Sequence, residues 1–292
     1  MAPRVAVVAH QRKLLGDGLP ELRRQLASAG VEDPIWFEVP KSKKAPKRVR
    51  QAIAEGAELV LIWGGDGMVQ RSIDAIVGHD VTLGILPAGT ANLLATNLGI
   101  PHDLEEALAI ALRGRDRPVD VATVNGEHFA VMSGVGFDAQ MIDGADSAAK
   151  EKLGKLAYVR TGVDAMRAAP VKVRIKVDGT KWFKGEASCL LVGNVGTASG
   201  GLVVFNDAEL DDGVLEVGVV TADGTAQWLR VLGQAARKQA DRSPFVQTTR
   251  GKKVDVRLAK KSLYELDGGS RSKVKRLRFC VKHHALNVRV PA

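Results

Sequence analysis

Apolar and polar positions follow two different patterns along this chain. In the first part, short continuous apolar runs alternate with segments whose apolar residues recur every three or four positions. That combination predicts strands buried on both faces and amphipathic helices between them. Val5 to Ala9 reads as a strand. Leu19 to Ala29 reads as a helix, with Leu19, Leu22 and Leu26 on one stripe and Gly30 as its stop. Ile35 to Val39 gives a second strand and Pro46 to Glu55 a second helix. The run Leu59-Val60-Leu61-Ile62-Trp63 then ends in Gly64-Gly65-Asp66-Gly67, and Val69, Ile73, Ile76 and Val77 share one face of the helix that follows. The same unit comes again at once: strand Val81 to Leu86, loop Pro87 to Asn92, and a short helix from Leu93 that ends near Gly99. A helix from Asp103 to Leu112, capped by Asp103, closes this part.

From about Val119 the pattern changes to strand-length segments separated by Asn-Gly, Asp-Gly and Gly-Gly turns. The predicted strands are Val119 to Val124, Phe129 to Ser133, Val171 to Val177, Ser188 to Val192, Val214 to Val220, Val254 to Leu258, Leu277 to Val281 and Leu286 to Val290. Helical interludes are expected around Gly154 to Ala168 and Thr225 to Ala240. The chain therefore divides into an open α/β domain over 1–118 and a mainly antiparallel β domain over 119–292.

Composition narrows the partners. At 292 residues, with 45% apolar and 26% charged residues, the chain is of ordinary globular composition and long enough for two domains. The net charge of +9 favours polyanions, anionic membrane surfaces or phosphorylated substrates. Aromatic residues make up only 4%, which argues against stacking on single-stranded nucleic acid, and no nucleic-acid partner is expected. A basic stretch, Lys41, Lys43, Lys44, Lys47, Arg48 and Arg50, is either a solvated face or a means of drawing in phosphates. Cys189 and Cys280 lie in strand-like sequence with no partner motif, which fits buried thiols in a reducing compartment. No apolar run approaches the roughly 18 residues of a membrane span. The start suits a first strand better than a signal peptide, so a cytoplasmic location is expected.

The chemistry concentrates in the two loops. Strand, glycine loop and helix in succession present backbone N–H groups and a helix N-terminus to an anion. Glycine lets a phosphate approach the main chain with no Cβ in the way. Asp66 needs a metal, a donor or a hydroxyl between itself and a phosphate. Tandem units of this kind place both loops at the carboxyl ends of neighbouring parallel strands, where open α/β sheets bind ligands. Other motifs carry less. Gly134-Val135-Gly136-Phe137-Asp138-Ala139 fits a dinucleotide fingerprint but lies in the β-rich half with no βαβ unit around it. No Walker P-loop, nucleophile elbow or H-E-x-x-H occurs. His283-His284 invites a metal reading, yet neighbours in a strand point to opposite faces and no third ligand is near in sequence.

The glycine loop, Leu86-Pro87-Ala88-Gly89-Thr90-Ala91-Asn92 and Leu98-Gly99-Ile100-Pro101 form a spaced series. It continues through Gly134 to Ala139, Val192-Gly193-Asn194, Gly200-Gly201, Ala208 to Leu215 and Leu266-Asp267-Gly268. Together these resemble the diacylglycerol kinase catalytic-domain family, which includes sphingosine and ceramide kinases and is distantly related to NAD kinases. In particular the chain resembles the bacterial soluble lipid kinases of that family. The resemblance implies an N-terminal α/β nucleotide-binding domain, a C-terminal β-sandwich, and ATP and lipid meeting in the cleft. It implies that Gly64, Gly65 and Gly67 cradle the ATP phosphates, with Met68, Val69 and Gln70 continuing that loop and Thr90 contacting nucleotide. Asp66 would act through the catalytic Mg²⁺. A structural Mg²⁺ would be held by the Asp212 side chain and the carbonyls of Glu209 and Val214, a hard-cation set.

The chain departs from the family pattern at three places. Met68, Gln70 and Arg71 stand where the family has Thr, Asn and Glu, so a hydroxyl near the phosphates is lost and the amide sits on a longer arm. His10-Gln11 replaces an Asn-Pro at the end of the first strand. The family's Asp-Gly-Glu, whose glutamate is its proposed general base, reads Asp267-Gly268-Gly269, which makes Asp267 the candidate base. The expected activity is ATP-dependent phosphorylation of a hydroxyl on a diacylglycerol-like lipid, at an anionic membrane surface that the protein contacts peripherally. Alternatives are an NAD kinase-like or other small-molecule kinase, and a catalytically dead nucleotide- or lipid-binding protein. A homodimer stays open.

Overall fold

The computed structural model describes residues 3–136, 170–198 and 202–292. Phe137 to Ala139, the helical segment expected at 154–168, and Gly200-Gly201 lie outside the described residues. The chain forms two compact units, residues 1–121 with 283–292, and residues 122–282. Sequence pattern alone does not separate the last ten residues from the β strands before them.

The first unit is built on parallel strands in the order β2-β1-β3-β4, with the end of the last strand of the chain added beside β4. Strands β1 (Val5–His10), β2 (Ile35–Val39), β3 (Leu59–Gly64) and β4 (Thr82–Pro87) alternate with helices α1 (Leu19–Ser28), α2 (Ala45–Ala54) and α3 (Asp66–Ile76). A short helix α4 (Leu93–Asn97) and α5 (Leu104–Arg113) follow. The continuous apolar runs have the reason expected of them. Ala6 to Ala9 and Leu59 to Trp63 are completely buried, and helices supply Leu22, Leu26, Val49, Ile73, Ile76 and Ala107 to that core. Asp103 caps α5, its carboxylate accepting the Glu106 N–H at 2.9 Å.

The second unit is an antiparallel β-sandwich, and the chain enters it along β5 (Arg115–Val124), which begins in the first unit. One face orders β12 (Val246–Gly251), β11 (Leu215–Val220), β10 (Cys189–Gly193) and β7 (Met132–Gly136). The other pairs β8 (Val171–Val177) with β9 (Thr180–Ala187) and with the first half of β13 (Lys253–Leu266). The far end of β13 crosses to pair with β7. Phe129, Ile175, Leu190, Val217, Val256 and Leu277 are among the residues of the common core. Helix α6 (Gly224–Ala236) packs Trp228 and Val231 on a small satellite cluster.

Three expectations change here. The run Phe129 to Ser133 is two strands, β6 (Glu127–Phe129) and β7, because the chain turns at Ala130 and Val131. The last two predicted strands are one, β14 (Gly269–Val290), and the polar stretch between them stays in the ladder. Strands β9 and β12 were not foreseen: β9 has its large apolar residues side by side at Trp182-Phe183, β12 is polar, and each pairs along one side only, so neither carries the alternation of a half-buried strand. Cys189 is buried, Cys280 half-buried, and no disulfide joins them.

Candidate active site

The two glycine loops meet at the carboxyl ends of β3 and β4. Met68 and Val69 donate their N–H groups to the Gly65 carbonyl at 2.8 and 3.1 Å, which starts α3 at Asp66. Gly65 and Gly89 lie against each other. A Cβ on Gly89 would fall 2.4 Å from the Gly65 Cα, so neither loop tolerates a side chain at that crossing. Asn92 folds the second loop from within. Its Oδ1 accepts the Gly89 N–H at 2.9 Å, while its Nδ2 donates to the carbonyls of Pro87 and Gly89. To do so it takes a left-handed backbone, φ 47°.

Asp66 joins the loops. One carboxylate oxygen accepts the Asn92 N–H at 3.0 Å and the other the Leu93 N–H, so the side chain caps the first turn of α4. Burial pushes the Asp66 carboxyl above its ordinary value, against the pull of the backbone N–H groups that it accepts. The carboxylate is therefore a loop-to-loop clamp as well as a charge at the mouth of the site.

The predicted nucleotide residues divide into two sets. Gly67 and Thr90 are exposed, and a Cβ on Gly67 would meet nothing within 4 Å, so the first turn of α3 is open to an incoming group. An eleven-residue helix presents its positive end there. Met68, Val69 and Gln70, by contrast, turn their side chains into the core, with Gln70 donating to Asp74 at 3.1 Å. Gly64 is buried, and a Cβ there would strike Met68 at 2.8 Å. Met68 thus occupies packing space rather than a phosphate contact. His10 accepts the Arg12 N–H through Nδ1 at 3.2 Å, and burial, with Lys13 and Arg12 nearby, holds its imidazole below the usual range. Exposed Lys41, Lys43 and Lys44 follow β2 at the same sheet edge, while Arg48 lies over the Phe37 ring.

Asp267 is placed otherwise than expected. Asp267 and Gly268 have φ of 44° and 77°, the left-handed pair of a two-residue hairpin turn between β13 and β14. The turn aims the carboxylate inward. Oδ2 accepts the Ala130 N–H at 3.0 Å, and Oδ1 accepts the N–H groups of Val131 and Met132 at 3.1 and 2.9 Å. Asp267 is 2% exposed. With three backbone donors on it and almost no exposure, the carboxylate acts as an internal acceptor that ties this turn to the Ala130–Met132 segment.

The cation site expected at Asp212 also looks different. Asp212 Oδ1 accepts the Val214 N–H at 3.1 Å, and its other oxygen meets the Arg250 guanidinium. Arg250 Nε reaches Glu216 at 2.7 Å, and Arg250 Nη2 reaches the Asp207 carbonyl at 3.4 Å. Burial raises the Glu216 carboxyl, opposed by Arg250. Glu209 is exposed. The positive charge at this turn is a guanidinium, so in this arrangement Glu209, Asp212 and Val214 do not fit a Mg²⁺ ion.

An open parallel sheet with two anion-facing loops at one edge, followed by an antiparallel β-sandwich, defines the class. The diacylglycerol kinase catalytic domain model matches residues 11–124, and the YegS C-terminal NAD kinase beta sandwich-like domain model matches residues 130–290. The chain belongs to the diacylglycerol kinase family. It is 30% identical to the diacylglycerol kinase of Bacillus subtilis over 77% of this chain and 75% of that one. It is 34% identical to the "Probable lipid kinase YegS-like" of Klebsiella pneumoniae over 61% of either length, so the match spans less than two thirds of that relative. A diacylglycerol kinase from Bacillus anthracis shares the fold, with a TM-score of 0.77 at 23% identity over 99% of this chain and 97% of that one. Both relatives carry the names of kinases, one of them of a probable lipid kinase. Among the described residues, no helix is long and apolar enough to cross a membrane.

Proposed function

We propose that the protein is an ATP-dependent lipid kinase that phosphorylates the hydroxyl of a diacylglycerol-like lipid. The observation that carries this reading is the open first turn of α3. Gly67 is exposed with free space above it, the helix dipole points at that space, and Asp66 fixes the Thr90 loop beside it. Triphosphate oxygens suit such a mouth: the backbone and helix end supply donors, and Thr90 supplies a hydroxyl. Mg²⁺ is assigned here only as the counter-ion that ATP brings with it, neutralising β- and γ-phosphate charge when bound.

Asp66 has two tasks in this reading. It holds the loops in register, and its charge orients the incoming metal–phosphate group. Asp267 is assigned as a positioning residue of the sandwich. Phosphoryl transfer through a loose transition state places most of the demand on alignment and charge neutralisation, and the hydroxyl proton can leave late. A strong base is then dispensable, consistent with Gly269 where the family has glutamate. The lipid would be met at an anionic membrane surface, where each exposed Lys or Arg near the headgroups contributes about 1 kcal/mol. Lys41, Lys43 and Lys44 are suited to that role.

The test is incubation of purified protein with γ-labelled ATP, vesicles carrying single lipids, and NAD⁺ as a soluble acceptor. Label in the diacylglycerol fraction, dependent on anionic vesicles, supports the proposal. Label in NAD⁺ favours the alternative of a small-molecule kinase. Retained nucleotide binding with no transfer to any acceptor identifies a binding protein.

A further inference from the structure

Neighbouring residues in a strand point to opposite faces, and on that ground His283 and His284 could not share a ligand. In β14 they do share a face. His284 takes a left-handed backbone, φ 49°, which breaks the alternation and brings the two imidazoles into a stack with centroids 3.7 Å apart and planes 27° from parallel. Non-glycine residues adopt that conformation uncommonly, histidine more readily than most.

A third group lies beneath the pair. Asp120 on β5 is completely buried, and its Oδ1 is 2.8 Å from His283 Nδ1 and accepts the His284 N–H at 2.7 Å. One donor atom from each of Asp120, His283 and His284 lies within 4.8 Å of the others. Both rings are exposed on the outer side. We propose that these three residues form a binding site for a divalent transition-metal ion of the Zn²⁺ or Co²⁺ class, separate from the nucleotide loops.

The donor chemistry favours such an ion. Two imidazoles and one carboxylate are the ligands of three-residue zinc sites that keep an open position, and here the exposed side of the rings offers that position to water. The stacked rings and the Asp120 carboxylate beneath them bring two imidazole nitrogens and a carboxylate oxygen together at one place. The position also excludes a role in phosphate chemistry. β14 runs parallel to β4 with Asn287 opposite Thr82, so His283 and His284 precede the start of β4, and the glycine loops follow its other end.

The experiment uses the full-length, untagged protein, stripped with chelator and titrated with Co²⁺, followed by visible absorption. Expected is one Co²⁺ per chain with the intense bands of a four- or five-coordinate ion, displaced by Zn²⁺. His283→Asn and His284→Asn, both at exposed positions, should each weaken binding at least about tenfold, and Asp120→Asn about 10–100-fold. Wild-type binding in either histidine variant overturns the site, as does a spectrum no different from the hydrated ion. If Asp120→Asn does not fold, the histidine variants decide alone.

Discussion

Two turns in this molecule present the same Asp-Gly pair, and both aspartates accept backbone N–H groups from a segment far away in sequence. Asp66 reaches 26 residues ahead to Asn92, and Asp267 reaches 137 residues back to Ala130. The difference lies in what is left over. Asp66 stands beside exposed Gly67 at a helix N-terminus, with its carboxyl raised by burial and two donors on it. Asp267 has three donors and is closed in by the sandwich. The same dipeptide therefore stands at an open helix end in one unit and is sealed into structure in the other. Motif membership does not decide between these; burial and the donor count do.

The largest effect should come from Asp267. Asp267→Ala leaves three buried N–H groups without their acceptor, each costing about 1–3 kcal/mol, so a loss of at least about 3 kcal/mol is expected in urea unfolding. Asp267→Asn keeps one acceptor oxygen and should lose less. The comparison breaks if Asp267→Asn unfolds like the wild type while kcat falls about 10²–10⁴-fold, the mark of a general base.

Asp66→Asn should act on rate first. An amide turns a donor toward the Asn92 or Leu93 N–H and removes the charge, so kcat/KM in the proposed kinase reaction should fall at least about 10²-fold, near 2.7 kcal/mol of transition-state stabilisation. The sign of the pH dependence follows from the direction of the shift. The folded pKa lies above the ordinary 3.8, so the folded state binds the proton more tightly. The stability linked to that proton is fully present below 3.8 and is lost as pH rises through the folded value. Activity that needs the anion runs the other way, failing on the acid side at a pH above the ordinary carboxylate range. A wild-type acid limb at the ordinary value, or an unchanged limb in Asp66→Asn, would remove Asp66 from the reaction.

Much of the first unit was legible because its strands are buried on both faces and its helices carry clean stripes. The glycine loops stood out because each follows a buried-strand run and precedes a helical stripe. Burial of Gln70 was not legible: an amide in a helix gives no sign that it is buried and bonded to Asp74 one turn on rather than facing a ligand. The donors on Asp267 were not legible, because the segment that supplies them lies 135 residues earlier. Arg250 was invisible beside Asp212, since 38 residues separate them and no local pattern links the two. His283 and His284 failed a strand rule that a single left-handed residue suspends.

Arg250 gives a smaller and more discriminating effect. If the guanidinium is the cation of the Asp212 turn, Mg²⁺ added to chelator-stripped protein should leave the wild-type Tm unchanged, and Arg250→Ala should destabilise by about 1 kcal/mol, the scale of a partly exposed pair. A Tm of the stripped protein that rises with Mg²⁺ would restore the metal reading of Asp212. In that case Arg250→Ala should leave the Mg²⁺ response intact.

Gly67→Ala separates fold from function at the smallest structural cost. The added Cβ meets nothing within 4 Å, and Gly67 lies in the first turn of α3 with no left-handed φ. Alanine there reduces the entropy of the unfolded chain, so stability should rise by about 0.4–1 kcal/mol, read as an increase in urea midpoint with unchanged slope. The same methyl stands in the open space assigned to phosphate, where it holds oxygens away from the helix end. The KM for ATP should therefore rise, by about tenfold if one charge-assisted contact of roughly 1.5 kcal/mol is lost. Gly89→Ala is the control, because its Cβ strikes the Gly65 backbone and must disturb both loops. A Gly67→Ala protein that is more stable and binds ATP unchanged would show that the open turn of α3 is not where the triphosphate rests. Asp66 would then be, like Asp267, a clamp and nothing more.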